Sequence, residues 1–133
     1  MATIAIGFDG TIVIDKYPEI GELIPGAIET IKCLQNHGHD VIIWTKRDKL
    51  ELQEMIIFLE DNGVKIDINK FPHHTSSPKN QADLYIDDKT LGVPKKINGD
   101  KEYLDWSAIG YWLSVYKYIN VEHYAELREV SIS

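Results

Sequence analysis

Short apolar runs without polar alternation recur along this chain, separated by stretches of helical period. Thr3 to Phe8, Asp40 to Thr45 and Ala82 to Ile86 each hold a core of β-branched or aromatic residues. Such runs read as strands buried on both faces. Between them, Ala27, Ile28, Ile31, Leu34 and Gln35 line one mostly apolar helix face. Leu52, Met55, Ile56 and Leu59 follow the i, i+3, i+4, i+7 pattern. Pro25 opens the first helix and Gly38 stops it; a residue near Asp48 caps the second, which ends at Gly63. Strands alternating with helices predict right-handed βαβ crossovers and a mainly parallel sheet with helices on both faces, a three-layer α/β/α sandwich.

The remaining segments are less regular. Residues 12–24, around Pro18 and Gly21, read as a flap or a short hairpin. Val64 to Ile68 predicts a short third strand, and Lys70 to Asn80 a loop with two prolines and two histidines. Leu91 to Ile97 predicts a short edge strand. Trp106, Ile109, Trp112, Leu113 and Tyr116 mark a last helix over 105–118, with Trp112 and Tyr116 on its inward stripe. Tyr111, Val115 and Tyr118 lie on another side and point to a homodimer patch. A tail follows from Asn120.

Composition narrows the function classes. The chain has 133 residues, 44% hydrophobic and 26% charged, the balance of one globular domain over 1–133. Its formal charge of −7 argues against a nucleic-acid backbone partner. No apolar run is long enough to span a bilayer, and Met1 to Phe8 lacks the pattern of a signal peptide, so no membrane partner and a cytoplasmic location are expected. One cysteine, Cys33, excludes an internal disulfide framework and a CxxC metal knuckle.

In open parallel sheets, ligands sit beyond the carboxyl ends of the strands. That rule selects Gly7 to Thr11, then Thr45, Lys46 and Arg47, then Asp87 and Asp88. Neighbouring carboxylates repel unless a cation neutralises them, and two or three oxygens are a usual protein share of a Mg²⁺ shell. Thr45 and the amides opening the next helix suit a phosphate. Lys79 is placed to neutralise it, and Asp9 to exchange a proton with a leaving oxygen.

These residues carry a family resemblance. Phe8-Asp9-Gly10-Thr11, Trp44-Thr45, Lys79 and Ile86-Asp87-Asp88 look like the four ordered motifs of the haloacid dehalogenase (HAD) superfamily, over residues 3–94. The stretches 17–21, 25–30 and 82–88 resemble a small bacterial and phage subgroup of HAD hydrolases. The resemblance implies Mg²⁺-dependent phosphomonoester hydrolysis. Asp9 is then the acid/base and touches the metal through its main-chain carbonyl. Gly10, Thr11, Thr45, Arg47 and Lys79 handle phosphate, and Asp87 and Asp88 hold the metal. The segments between Gly10 and Trp44, and between Lys46 and Lys79, leave no room for a cap domain. A capless site implies a phosphorylated small molecule or a bulky phosphorylated substrate.

One position departs from the pattern. The family's nucleophilic aspartate, also a metal ligand, corresponds to Gly7. Glycine has no side chain to phosphorylate, and losing a nucleophile costs on the order of 10³ to 10⁶ in rate. The expectation is an impaired or inactive hydrolase with weakened Mg²⁺ binding. The alternative is a pseudo-phosphatase that binds a phosphorylated ligand or protein partner without turnover. Asp15 reads as a solvated loop acid, and His73 and His74 as loop residues, so none of them replaces the nucleophile. A response-regulator receiver fails on order, because its acidic pair follows strand one and here the pair follows a later strand.

Overall fold

The computed structural model describes residues 1–67, 82–120 and 122. The elements in chain order are β1 (Thr3–Gly7), β2 (Val13–Lys16), β3 (Glu19–Leu23), α1 (Ala27–Asn36), β4 (Asp40–Trp44), α2 (Lys49–Asp61), β5 (Leu84–Ile86), β6 (Lys95–Asn98), β7 (Lys101–Leu104) and α3 (Trp106–Val115).

The fold is mixed α/β around a parallel sheet of order β4-β1-β5. β1 is central and the most buried of the three strands: Ile4, Ala5, Ile6 and Gly7 are all buried. Its partners run in register, Gly7 opposite Trp44 and Ile6 opposite both Ile43 and Ile86. The carboxyl ends of all three strands therefore finish at one edge. The core gathers Ile4, Ile6 and Phe8 with Ile31 and Leu34 of α1, Met55 and Leu59 of α2, and Trp106, Ile109 and Leu113 of α3. No helix among the described residues is long and apolar enough to cross a membrane.

The flap over 12–24 is an antiparallel hairpin, β2 with β3. Gly21 is needed there, since a Cβ would overlap the Ile14 carbonyl oxygen. Among the described residues this hairpin is the one structured unit between β1 and α1.

The structure departs from the sequence reading in three places. Residues 64–67 form no strand, and Ile68 lies outside the described residues. The Gln35 side chain explains this: its amide donates to the Lys65 carbonyl at 2.8 Å and accepts from the Lys65 N–H at 3.1 Å. A side-chain amide thus takes both backbone groups that a strand partner would need. The edge strand expected over 91–97 is shifted and becomes β6, which pairs with β7 in a second hairpin. On α3 the inward stripe is Trp106, Ile109, Gly110 and Leu113. Trp112 and Tyr116 sit on its flank, 48% and 68% exposed, and stack on one another with centroids 6.0 Å apart. Tyr111 and Val115 are exposed as expected, but Tyr118 is half-buried with its ring edge-on to His39.

Candidate phosphate site at the sheet edge

The turn after β1 is built by its backbone. The Phe8 carbonyl accepts from the amides of Thr11, Ile12 and Val13, and the Gly10 N–H donates to Val13. Gly10 adopts φ +86°, and a Cβ on it would stand 2.5 Å from Asp88 Oδ2. Only glycine meets both conditions. The turn and the Asp87-Asp88 segment are thereby pressed together.

A cavity of about 670 Å³ opens at this edge. Gly7 and Asp9 line it from β1 and its turn, Trp44, Thr45 and Lys46 from the end of β4, and Asp87, Asp88 and Lys89 from the end of β5. Asp15 and Tyr17 line it from the hairpin. The strand-end rule thus brings together Gly7, Asp9, Thr45, Asp87 and Asp88 from three separate stretches of sequence. Lys79, His73 and His74 lie outside the described residues.

Thr45 is half-buried, and its Oγ1 accepts from the Arg47 N–H at 3.0 Å. That bond uses an oxygen lone pair and leaves the hydroxyl proton to donate to a ligand. Lys46 and Lys89 are exposed, and neither makes an ion pair with any described residue. The strand-end rule selects Lys46, and the sequence reading gives Lys89 no place. Lys89 had a signal, since it directly follows the acidic pair at a strand end.

Arg47 has a different place from the expected phosphate contact. It is not among the cavity-lining residues. Its guanidinium is fully buried, and it grips Asp9 through both carboxylate oxygens, Nε to Oδ2 at 2.8 Å and Nη2 to Oδ1 at 2.7 Å. It also donates to the carbonyls of Pro18 and Glu19 in the hairpin turn, at 3.0 and 2.9 Å. Four of its five N–H groups are therefore committed within the protein. The rings of Phe8 and Tyr17 lie 5.3 and 5.1 Å from its central carbon. The hydrogen bond to Asp9 raises the Arg47 pKa, against the opposing effect of burial. Arg47 fastens the hairpin to the turn rather than reaching a ligand.

Thr11 differs in the same way. It is fully buried, and its hydroxyl accepts from the Asp88 N–H at 3.1 Å and lies 3.2 Å from Asp88 Oδ1 as donor. Its carbonyl accepts from Trp106 Nε1 at 3.0 Å. Thr11 therefore positions the acidic pair and has no surface to offer a phosphate. Gly10 likewise lines a neighbouring cavity of about 340 Å³ instead of the main one.

Gly7 is buried, in ordinary strand conformation. A Cβ there would lie 2.8 Å from Thr11 Oγ1 and 3.3 Å from Asp87 Cγ. Real Cβ atoms do not approach an oxygen that closely, so the Thr11 hydroxyl must shift to admit a side chain at residue 7.

The acidic pair is electrostatically strained. Burial, and after it the hydrogen bond and charge of Asp87, push the Asp88 carboxyl above its ordinary pKa, while the Thr11 hydroxyl opposes the shift. A nearby cation would relieve this strain. Among the described residues no three His, Cys, Asp or Glu side chains come together as a metal-holding group. The carboxylates that could hold a hard cation are those of Asp87 and Asp88; the Asp9 carboxylate is turned to Arg47, so the part expected of Asp9 falls to its main-chain carbonyl, as the resemblance implies. Two carboxylates, with phosphate and water completing the shell, suit Mg²⁺.

A solved structure, that of a conserved protein from Bacteroides thetaiotaomicron, superposes on this chain with a TM-score of 0.65. The two are 36% identical, over 87% of this chain and 90% of that one. The chain belongs to the same family as that conserved protein. No family model and no curated protein sequence matches the chain. The description of the Bacteroides thetaiotaomicron protein names no activity.

Proposed function

We propose that this chain is a capless, three-layer α/β/α domain of the HAD hydrolase superfamily that binds a phosphomonoester together with Mg²⁺ and turns it over at or near the uncatalysed rate. Support for the lineage is the order of the four motifs and the convergence of the three described ones at the carboxyl edge of a parallel sheet. Thr45 donates to the phosphoryl oxygens, and Lys46 and Lys89 neutralise them, with Lys79 joining by resemblance. Asp87 and Asp88 would hold Mg²⁺, which when bound supplies charge neutralisation to the phosphoryl group.

The observation that carries the reading is at Gly7. The family's nucleophile is missing, and Thr11 Oγ1 stands 2.8 Å from where its Cβ would be. Thr11 must move before a side chain at residue 7 can be admitted. Asp9 supports the same conclusion. Both of its carboxylate oxygens accept from Arg47, which ties the side chain to the hairpin. What survives is the apparatus for holding a phosphate.

Gly7→Asp tests this. Assayed on an aryl phosphate with Mg²⁺, the wild-type chain is expected at background. The variant is expected to gain at least ~100-fold, since a restored nucleophile recovers several kcal/mol of barrier. Wild-type turnover equal to that of the variant overturns the reading, because some other group would then be the nucleophile.

A further inference from the structure

Two aromatic side chains line the cavity beside the phosphate-handling residues, and each has a distinct reason to be there. Trp44 is the register partner of Gly7 in the parallel sheet. Register partners on neighbouring strands point to the same face. With glycine at residue 7, β1 puts no side chain beside the indole on that face, and the side chains nearest the vacant Cβ position are those of Thr11 and Asp87.

Tyr17 is the second. It is 54% exposed although it sits in a hairpin held by a buried charge. Its ring is fixed over the Arg47 guanidinium at 5.1 Å. A ring held by a cation–π contact in this way is an oriented platform that loses little entropy when a second ring stacks on it. Tyr17 and Trp44 line the same cavity as Thr45, Lys46 and Lys89, and its volume of about 670 Å³ lies within the usual range for small-molecule sites.

We infer that the ligand is a phosphomonoester bearing a flat aromatic group, of the nucleoside 5′-monophosphate class. Its phosphate meets Thr45, Lys46 and Lys89, and its ring lies against Tyr17 and Trp44. The inference rests on the phosphate-binding reading above and adds the chemistry of the remainder of the ligand. A mononucleotide also suits a chain of net charge −7, because it asks for one local anion site and no basic face.

Calorimetric titration of the full chain with Mg²⁺ and three probes tests it: adenosine 5′-monophosphate, ribose 5-phosphate and inorganic phosphate. The nucleotide is expected to bind at least about tenfold tighter than ribose 5-phosphate, the usual scale of one base–aromatic stack. Tyr17→Leu and Trp44→Leu are each expected to bring the nucleotide close to the sugar phosphate, with inorganic phosphate affinity changed less than about twofold. Equal affinity of the wild-type chain for nucleotide and sugar phosphate overturns this inference and leaves the phosphate site standing. Failure of all three probes to bind overturns the phosphate-binding reading and this inference with it. The wild-type comparison decides the matter even if a variant folds poorly.

Discussion

Two β-hairpins of similar size approach the candidate site, and they are fastened by opposite means. In β2–β3, Val13 is buried, and the carbonyls at the turn are held by a fully buried guanidinium that also pairs with Asp9. In β6–β7, an ion pair joins Lys95 to Glu102 at 3.5 Å, with side chains 37% and 57% exposed. Leu104 is the fully buried residue of that hairpin. The first hairpin is thus part of the site's electrostatics, and the second is attached mainly by its last strand residue. A cover tied to Asp9 by a buried charge is held more firmly than one tied by an exposed pair.

The comparison is broken most severely at Arg47. Arg47→Met leaves Asp9 without its partner in a partly buried setting, and this is expected to destabilise the chain by about 3–5 kcal/mol. Urea unfolding measures the loss. Hydrogen exchange should show it concentrated at the amides of residues 13–23, with residues 95–104 unchanged. The double variant Arg47→Met, Asp9→Asn should recover a good part, because no unpaired charge remains. A loss below about 1 kcal/mol for Arg47→Met would mean that the hairpin is held by apolar contacts alone.

A smaller effect is expected where the two sides of the site meet. Gly7→Ala forces a Cβ against the Thr11 hydroxyl, whose bonds to Asp88 must stretch to admit it. Overpacking of this kind costs about 1–3 kcal/mol, read as a drop in denaturant midpoint. Unchanged stability would show that Thr11 yields freely and that the space is still available to a side chain.

The smallest effect belongs to the second hairpin. Lys95→Ala should change stability by no more than about 0.5 kcal/mol, as for most exposed ion pairs. A larger loss in the same unfolding assay would erase the contrast between the hairpins.

The strands that position the site were legible because their side chains are apolar without alternation, and a parallel sheet then fixes which ends meet. Asp9, Thr45, Asp87 and Asp88 follow from that rule alone. The roles of Arg47 and Thr11 were not legible. Both are polar residues next to a predicted anion site, and pattern reading assigns such residues to the ligand. Their actual partners, Asp9 with the hairpin carbonyls and Asp88, are brought near only by tertiary packing. The missing strand at residues 64–67 has a similar origin: periodicity says nothing of a distant glutamine amide that replaces a neighbouring strand. On α3, two aromatics at plausible helical spacing were assigned inward, yet small Gly110 sits on the buried stripe and Trp112 and Tyr116 turn out.

The central claim joins two statements, that a phosphomonoester binds and that it is not hydrolysed. Phosphorus NMR on one sample of the wild-type chain with Mg²⁺ and an aryl phosphate reports both. The account predicts that the ester resonance shifts or broadens with added protein, and that no inorganic phosphate signal grows beyond that of a protein-free control. An inorganic phosphate signal that grows with protein concentration, or an ester resonance indifferent to the protein, would contradict it.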